Sequence, residues 1–218
     1  MTHAGGFVYW RGNAKRRLLW VDRSGAPRPA IEAPHEFDFV RLSPDGRRAA
    51  VNIVTGAKYD VWTADLSSGT ISPLTSTGTV RNPVWSPDGT RLLYVSTQGG
   101  RAQLWWQPSD GSGPPVLAGD PRRNAWMLDL ASDGKTVVYN TISDGTFNLE
   151  TFALAGEGGA RALADSRQAW ETFGRFSPDA RWVAYESDES GRGEIYLRTL
   201  AEGGGRLQVS ANGGQRPV

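Results

Sequence analysis

Cysteine is absent from the 218 residues, which removes disulfides, thiolate nucleophiles and cysteine-ligated metals together. A chain without thiols tolerates either redox state, so compartment stays open. Histidine is nearly absent too. Only His3 and His35 could supply an imidazole, and no Gly-x-Ser-x-Gly elbow accompanies them, so a serine-hydrolase triad lacks its parts. Charge of one sign is missing as well: 24 basic and 23 acidic residues leave a formal charge of +1. Nothing there would gather nucleic acid or an anionic membrane, and neither is expected as a partner. No run approaches the roughly eighteen apolar residues needed to span a bilayer. The stretch Met1-Thr2-His3-Ala4-Gly5-Gly6 lacks the charged and apolar regions of a signal peptide. This chain is therefore expected neither to insert into a membrane nor to export itself.

Tryptophan, by contrast, is abundant. Nine indoles must be buried between layers, which calls for many sheet interfaces. Comparison of the chain with itself supplies them. Leu42-Ser43-Pro44-Asp45-Gly46, Trp85-Ser86-Pro87-Asp88-Gly89, Leu130-Ala131-Ser132-Asp133-Gly134 and Phe176-Ser177-Pro178-Asp179-Ala180 are variants of one motif, their aspartates 43, 45 and 46 residues apart. That period fits one four-stranded blade of a β-propeller. The motif itself is a tight turn, with Ser at the first position, Pro presetting φ at the second and Gly free to go left-handed at the end.

Each turn leads into an apolar strand: Arg48-Ala49-Ala50-Val51, Leu92-Leu93-Tyr94-Val95, Val137-Val138-Tyr139 and Trp182-Val183-Ala184-Tyr185. Continuous apolar runs of this kind suit strands covered on both faces. A third strand recurs at Asp60–Thr63, Gln103–Trp106, Asn148–Thr151 and Glu194–Leu197, with an aromatic at its third place in three of four copies. Outer strands such as Ile71–Leu74 and Pro115–Leu117 carry prolines, which edges tolerate. Whole blades are expected at about 35–75, 79–118, 123–163 and 168–209. Residues 6–32 hold three strands and lack an innermost one, while Gln215-Arg216-Pro217-Val218 resembles the innermost lead-in Arg81-Asn82-Pro83-Val84. Together, 6–32 and 215–218 could form a fifth, shared blade that closes the ring and hides two sheet edges. The alternative is a six-bladed propeller lacking a blade.

These repeats resemble the TolB-like, or PD-repeat, propellers over almost the whole chain, an all-β fold within one domain of residues 1–218. Leu18–Gly25 and Tyr185–Tyr196 are similar to the C-terminal propellers of bacterial serine/threonine kinases. That resemblance implies a sensor or protein-interaction module, extracytoplasmic if the kinase likeness holds. It also implies a protein or peptide as the partner, with a small ligand as a further option. Three departures stand out: Ser132 replaces the turn proline, Ala180 the turn glycine and Glu150 the third-strand aromatic. A left-handed Ala180 costs roughly 1–2 kcal/mol.

Chemistry-bearing motifs are few. Gly134-Lys135-Thr136 ends like a phosphate loop, but Asp129 stands where the upstream glycine is needed and the context is a β-turn. The turn aspartates resemble sialidase Asp boxes, which are structural turns and differ in spacing. Asp188–Gly191 and Asp144–Asn148 offer oxygens without calcium-loop spacing and read as solvated hairpins. No catalytic residue, metal site or cofactor is expected. Trp20, Trp62, Trp85 and Trp105 sit at repeat-related strand positions and are expected to pack between blades. Residues that precede innermost strands are the candidate rim of the channel mouth: His35, Glu36, Arg81, Asn82, Asn124, Trp126, Trp170, Glu171 and Arg216. His35 also reads as an ordinary loop residue, and half-buried packing is the other reading of Trp126 and Trp170. Two further uses of such a propeller remain: gating substrate for a prolyl-oligopeptidase-like hydrolase domain, or binding a small ligand on its own.

Overall fold

The structure, a computed structural model, describes residues 7–11, 16–32, 35–120, 122, 124–143, 145–154, 159–164, 166, 168–201 and 203–217; for 7–11 and 143 it describes the backbone alone. His3, Pro34, Asp144 and Val218 lie outside the described residues. The described residues form nineteen strands in five antiparallel sheets. Four sheets have four strands each: β4 (Phe37–Leu42) to β7 (Ile71–Pro73), β8 (Val80–Trp85) to β11 (Val116–Ala118), β12 (Trp126–Leu130) to β15 (Arg161–Ala164), and β16 (Glu171–Phe176) to β19 (Arg206–Gln208). Strands in each follow chain order, innermost first. These are the four whole blades.

The remaining sheet has three strands, β1 (Phe7–Arg11), β2 (Arg17–Val21) and β3 (Pro27–Pro29). The expected fifth blade is corrected here: residues 215–217 form no strand, and β1 pairs with β2 alone among the described residues. The hydrogen bonds of the C-terminal segment go to the fourth blade instead. Val209 N–H donates to the Ile195 carbonyl at 2.8 Å, Gly214 N–H to the Gly193 carbonyl at 3.0 Å and Arg216 N–H to a Glu186 carboxylate oxygen at 3.1 Å. Four whole blades also stand in place of the six-bladed count.

Two compact units make up the chain, residues 1–100 with 105–116, and residues 101–104 with 117–218. In the first unit, Leu18, Phe37, Val51 and Ile53 bury together and take Trp20 and Trp62 against them. A second layer of Val61, Val80, Trp85, Leu92 and Tyr94 takes Trp105. The repeat-related indoles therefore pack between sheets, as their strand positions require. Trp85 is anchored further, its Nε1–H donating to the Arg41 carbonyl at 2.9 Å while the Arg48 guanidinium lies 4.6 Å over its ring. In the second unit, Val138, Leu149, Val183, Tyr185 and Tyr196 form the matching layer. On the other face of β14 (Thr146–Ala153), Glu150 replaces an aromatic and accepts a hydrogen bond from the Tyr139 hydroxyl opposite it.

Three of the four turn motifs are closed by a serine–aspartate pair of their own; the third copy has Ala131 at the serine place. Ser43, Ser86 and Ser177 hydroxyls donate to Asp45, Asp88 and Asp179 at 2.6 Å, and the same carboxylates accept backbone N–H groups of Arg47, Thr90 and Arg181. The residue after each aspartate is left-handed: Gly46, Gly89 and Gly134 at φ 68–69°, and Ala180 at 54°. Ala180 therefore carries the strain expected of a side chain in that region.

Candidate functional site

The innermost strands fix where the candidate residues sit. Asn82, Met127 and Phe173 have positive φ (55°, 45° and 57°), each six residues ahead of its turn aspartate, and each lies within a register shift of its strand. Such a bulge bends the strand and re-aims the side chains beside it. Arg216, at φ 50°, repeats the conformation at the next period. Its segment is thus shaped like an innermost lead-in although it joins no strand.

At Asn82 a buried side chain on the preceding blade holds the bulge. Asn52, fully buried, accepts from Asn82 N–H at 2.8 Å and donates to the Val80 carbonyl at 2.9 Å. Asn140 donates to the Glu171 carbonyl from the same position, and Glu186 at that position accepts from Arg216 N–H. All three stand seven residues after a turn aspartate. The linkers ahead of the bulges are tied by repeat-related acids. Asp60 accepts from Thr75 Oγ1 at 2.9 Å and Gly78 N–H at 3.1 Å. Glu194 accepts from the Ser210 hydroxyl, from Gly213 N–H at 2.9 Å and from Arg192 Nε at 2.7 Å. The Ser210 bond first, with the Gly213 amide and the Arg192 cation, holds the Glu194 carboxyl below its ordinary range against the opposing effect of burial.

In the first unit, His35 pairs through its backbone with Arg16 and lies edge-on to Phe37 at 5.4 Å. The Glu36 carbonyl accepts from Val54 N–H at 2.9 Å. The Arg81 guanidinium sits 3.5 Å over Tyr59. Asn82 is buried in the clamp just described.

In the second unit, the Asn124 side-chain oxygen accepts from Ala102 N–H at 2.9 Å. Trp126 is half-buried, and its indole N–H is enclosed without a hydrogen-bond partner among the described residues. Glu171 is buried, and both carboxylate oxygens accept from Ser166 N–H at 3.1 and 3.2 Å. The Arg216 guanidinium lies 5.0 Å over Phe173.

Trp170 differs from the other aromatic candidate, Trp126, in being exposed, at 54%. Its backbone N–H donates to Asp188 Oδ1 at 2.7 Å, and its ring meets Phe147 edge-on at 5.4 Å. Phe147 lies opposite Ile142 across the β13–β14 hairpin (Thr136–Ser143 and Thr146–Ala153), and Ile142 is itself 48% exposed. Cross-strand partners point to one face, so Ile142 and Phe147, at the tip of the third blade's hairpin, and Trp170, just ahead of the fourth blade, form a partly uncovered apolar surface. Sequence reasoning reached Trp170 and missed the other two. Their signal was an apolar pair at a hairpin tip, where polar residues are the rule.

Comparison with known proteins agrees with this architecture. In the curated Tol-Pal system protein TolB of Anaeromyxobacter dehalogenans (strain 2CP-C), 78 residues align at 32% identity, which is 36% of this chain and 18% of that protein. The crystal structure of TolB from Acinetobacter baumannii superposes with a TM-score of 0.83 at 18% identity, covering 97% of this chain and 53% of that one. A prolyl endopeptidase structure gives 0.65 at 16% identity over 97% of this chain and 36% of that one. The chain thus spans about half the length of the solved TolB it matches, and less of the curated relative. The TolB beta propeller domain family, PD40, matches residues 33–169. With its turn motif repeated at blade period and four strands in each whole blade, the chain belongs to the TolB beta propeller family.

Proposed function

We propose that this propeller is a non-catalytic interaction module that takes a peptide or loop of a partner protein on the surface of Ile142, Phe147 and Trp170. The observation that carries this reading is Trp170, an indole fixed by Asp188 and Phe147 yet half uncovered. A rigid aromatic loses little entropy on being covered, and residues of this type anchor interfaces. Asn124 and Arg216, both exposed, serve as polar rim in the same unit. His35, Glu36 and Arg81 are proposed as further contacts in the first unit. Trp126, Asn82 and Glu171 shape the rim from beneath, since the first is half-buried, Asn82 is buried with its backbone N–H held by Asn52, and Glu171 is buried on the Ser166 N–H. Family membership supports protein binding, and the kinase-like segments Leu18–Gly25 and Tyr185–Tyr196 suggest a sensor that reports to a signalling domain.

The fold match to a prolyl endopeptidase favours a second reading, in which the propeller gates substrate for a hydrolase domain. Flanking coding sequence separates the two: a kinase domain upstream supports the sensor, a nucleophile elbow downstream the gate. For the interaction surface itself, peptides selected from a displayed random library are titrated against the purified domain. Trp170→Ala should weaken binding by about tenfold or more, equivalent to roughly 1.4 kcal/mol or more, whereas Trp182→Ala should not, although Trp182 is also 40% exposed. Equal affinity of wild type and Trp170→Ala would overturn the assignment.

A further inference from the structure

A cavity of about 260 Å³ opens in the first unit between Leu74–Thr77, at the outer end of the first whole blade, and the face of the second. Its volume lies just under the roughly 300 Å³ at which sites for drug-sized ligands begin. The face of the second blade supplies the indole of Trp105 and the ring of Tyr94 together with Ser96 and Gln107, and Thr77 and Gln98 add a further hydroxyl and carboxamide to the lining. Among the described residues, none that lines it is charged.

From this lining we infer that the cavity is a binding site for a neutral carbohydrate, with one sugar ring stacked on Trp105. Phosphates, carboxylates and ammonium groups would lose their hydration there without meeting a counter-charge. A purely apolar ligand would cover Ser96 and Gln107, which are 6% and 8% exposed, while offering them nothing to bond. A pyranose has both parts the cavity matches: an apolar C–H face for the indole, and hydroxyls that each donate and accept.

Gln107 is set for this use. Its Oε1 accepts from the Tyr94 hydroxyl at 2.9 Å, which fixes the amide's orientation, and Nε2 donates at a long 3.4 Å to the Leu74 carbonyl. Two N–H groups on Nε2 leave capacity for a ligand oxygen. Ser96 Oγ lies 3.3 Å from Thr79 Oγ1 and accepts from Gln98 N–H at 3.3 Å. These contacts are longer than ordinary hydroxyl bonds and can be exchanged for a sugar hydroxyl.

The test is saturation-transfer NMR and calorimetry on the purified chain with glucose, galactose, mannose, N-acetylglucosamine and their disaccharides, and with glucuronate as the charged comparator. The expected result is saturable binding of at least one neutral sugar, weakened about tenfold by Trp105→Phe and by Thr77→Val, with glucuronate weaker than glucose. Thr77 and Gln98 are exposed, so Thr77→Val and Gln98→Ala pose the question without disturbing the core. Trp170→Ala should leave sugar binding unchanged, which separates this site from the interaction surface in the other unit. Absence of binding by every neutral sugar, binding that survives Trp105→Phe, Thr77→Val and Gln98→Ala, or tighter binding of glucuronate would each overturn the proposal.

Discussion

At the scale of single residues, the turn aspartates and Ala180 decide the most. Asp88 is held down to about 2, first by the Ser86 hydroxyl and then by Thr90, and Asp65 to about 2, first by Ser67. Asp45 and Asp179 are lowered, foremost by the Ser43 and Ser177 hydroxyls. A carboxyl whose pKa falls on folding adds stability that is fully present above its unfolded value, here 3.8, and lost as pH drops through the folded one. The unfolding midpoint should therefore be flat near neutrality and fall between about pH 4 and pH 2. Carboxyl NMR titration checks the cause: Ser86→Ala should move Asp88 back toward its ordinary range, and an unmoved Asp88 would refute it. Ala180 sits at φ 54°, a conformation that glycine adopts without penalty. Ala180→Gly should thus stabilise the protein by about 1 kcal/mol in chemical unfolding, against the usual cost of added glycine.

At the scale of elements, the innermost strand β8 is held by a side chain borrowed from the neighbouring blade. Asn52→Leu removes the groups that bond Asn82 N–H and the Val80 carbonyl, leaving both buried without partners. The cost should be about 2 kcal/mol, read as a lower denaturant midpoint at unchanged slope. A leucine variant as stable as wild type would mean that the clamp is incidental. Trp62→Ala and Trp105→Ala each open a gap in an inter-sheet layer and should cost about 3 kcal/mol. A midpoint shift near zero in both would sink the packing assignment.

At the scale of the whole molecule, periodicity made the blades legible. The Ser-Pro-Asp-Gly turn and the apolar strand after it are local devices, written into adjacent residues, so each copy announces itself. The bulges were not legible, because Asn82, Met127 and Phe173 share a conformation and no side-chain chemistry. At Asn82 the contact that holds the bulge is a non-local acceptor, Asn52, seven residues past another turn aspartate and visible only once blades are packed. The fifth blade failed for a related reason: Gln215–Val218 does look like an innermost lead-in, and Arg216 adopts that backbone, but resemblance of a segment does not name its pairing partner. In the site, Trp170 was found by position, whereas Phe147 and Ile142 needed the cross-strand register that joins them. The central claim, a binding face formed by the tip of the third blade's hairpin and the residue just ahead of the fourth blade, is tested most directly by hydrogen exchange of the chain with and without a selected peptide. Slowed exchange confined to residues 142–147 and 168–172 is the predicted footprint; protection along the outer strands β15 and β19 instead, or none anywhere, would contradict it.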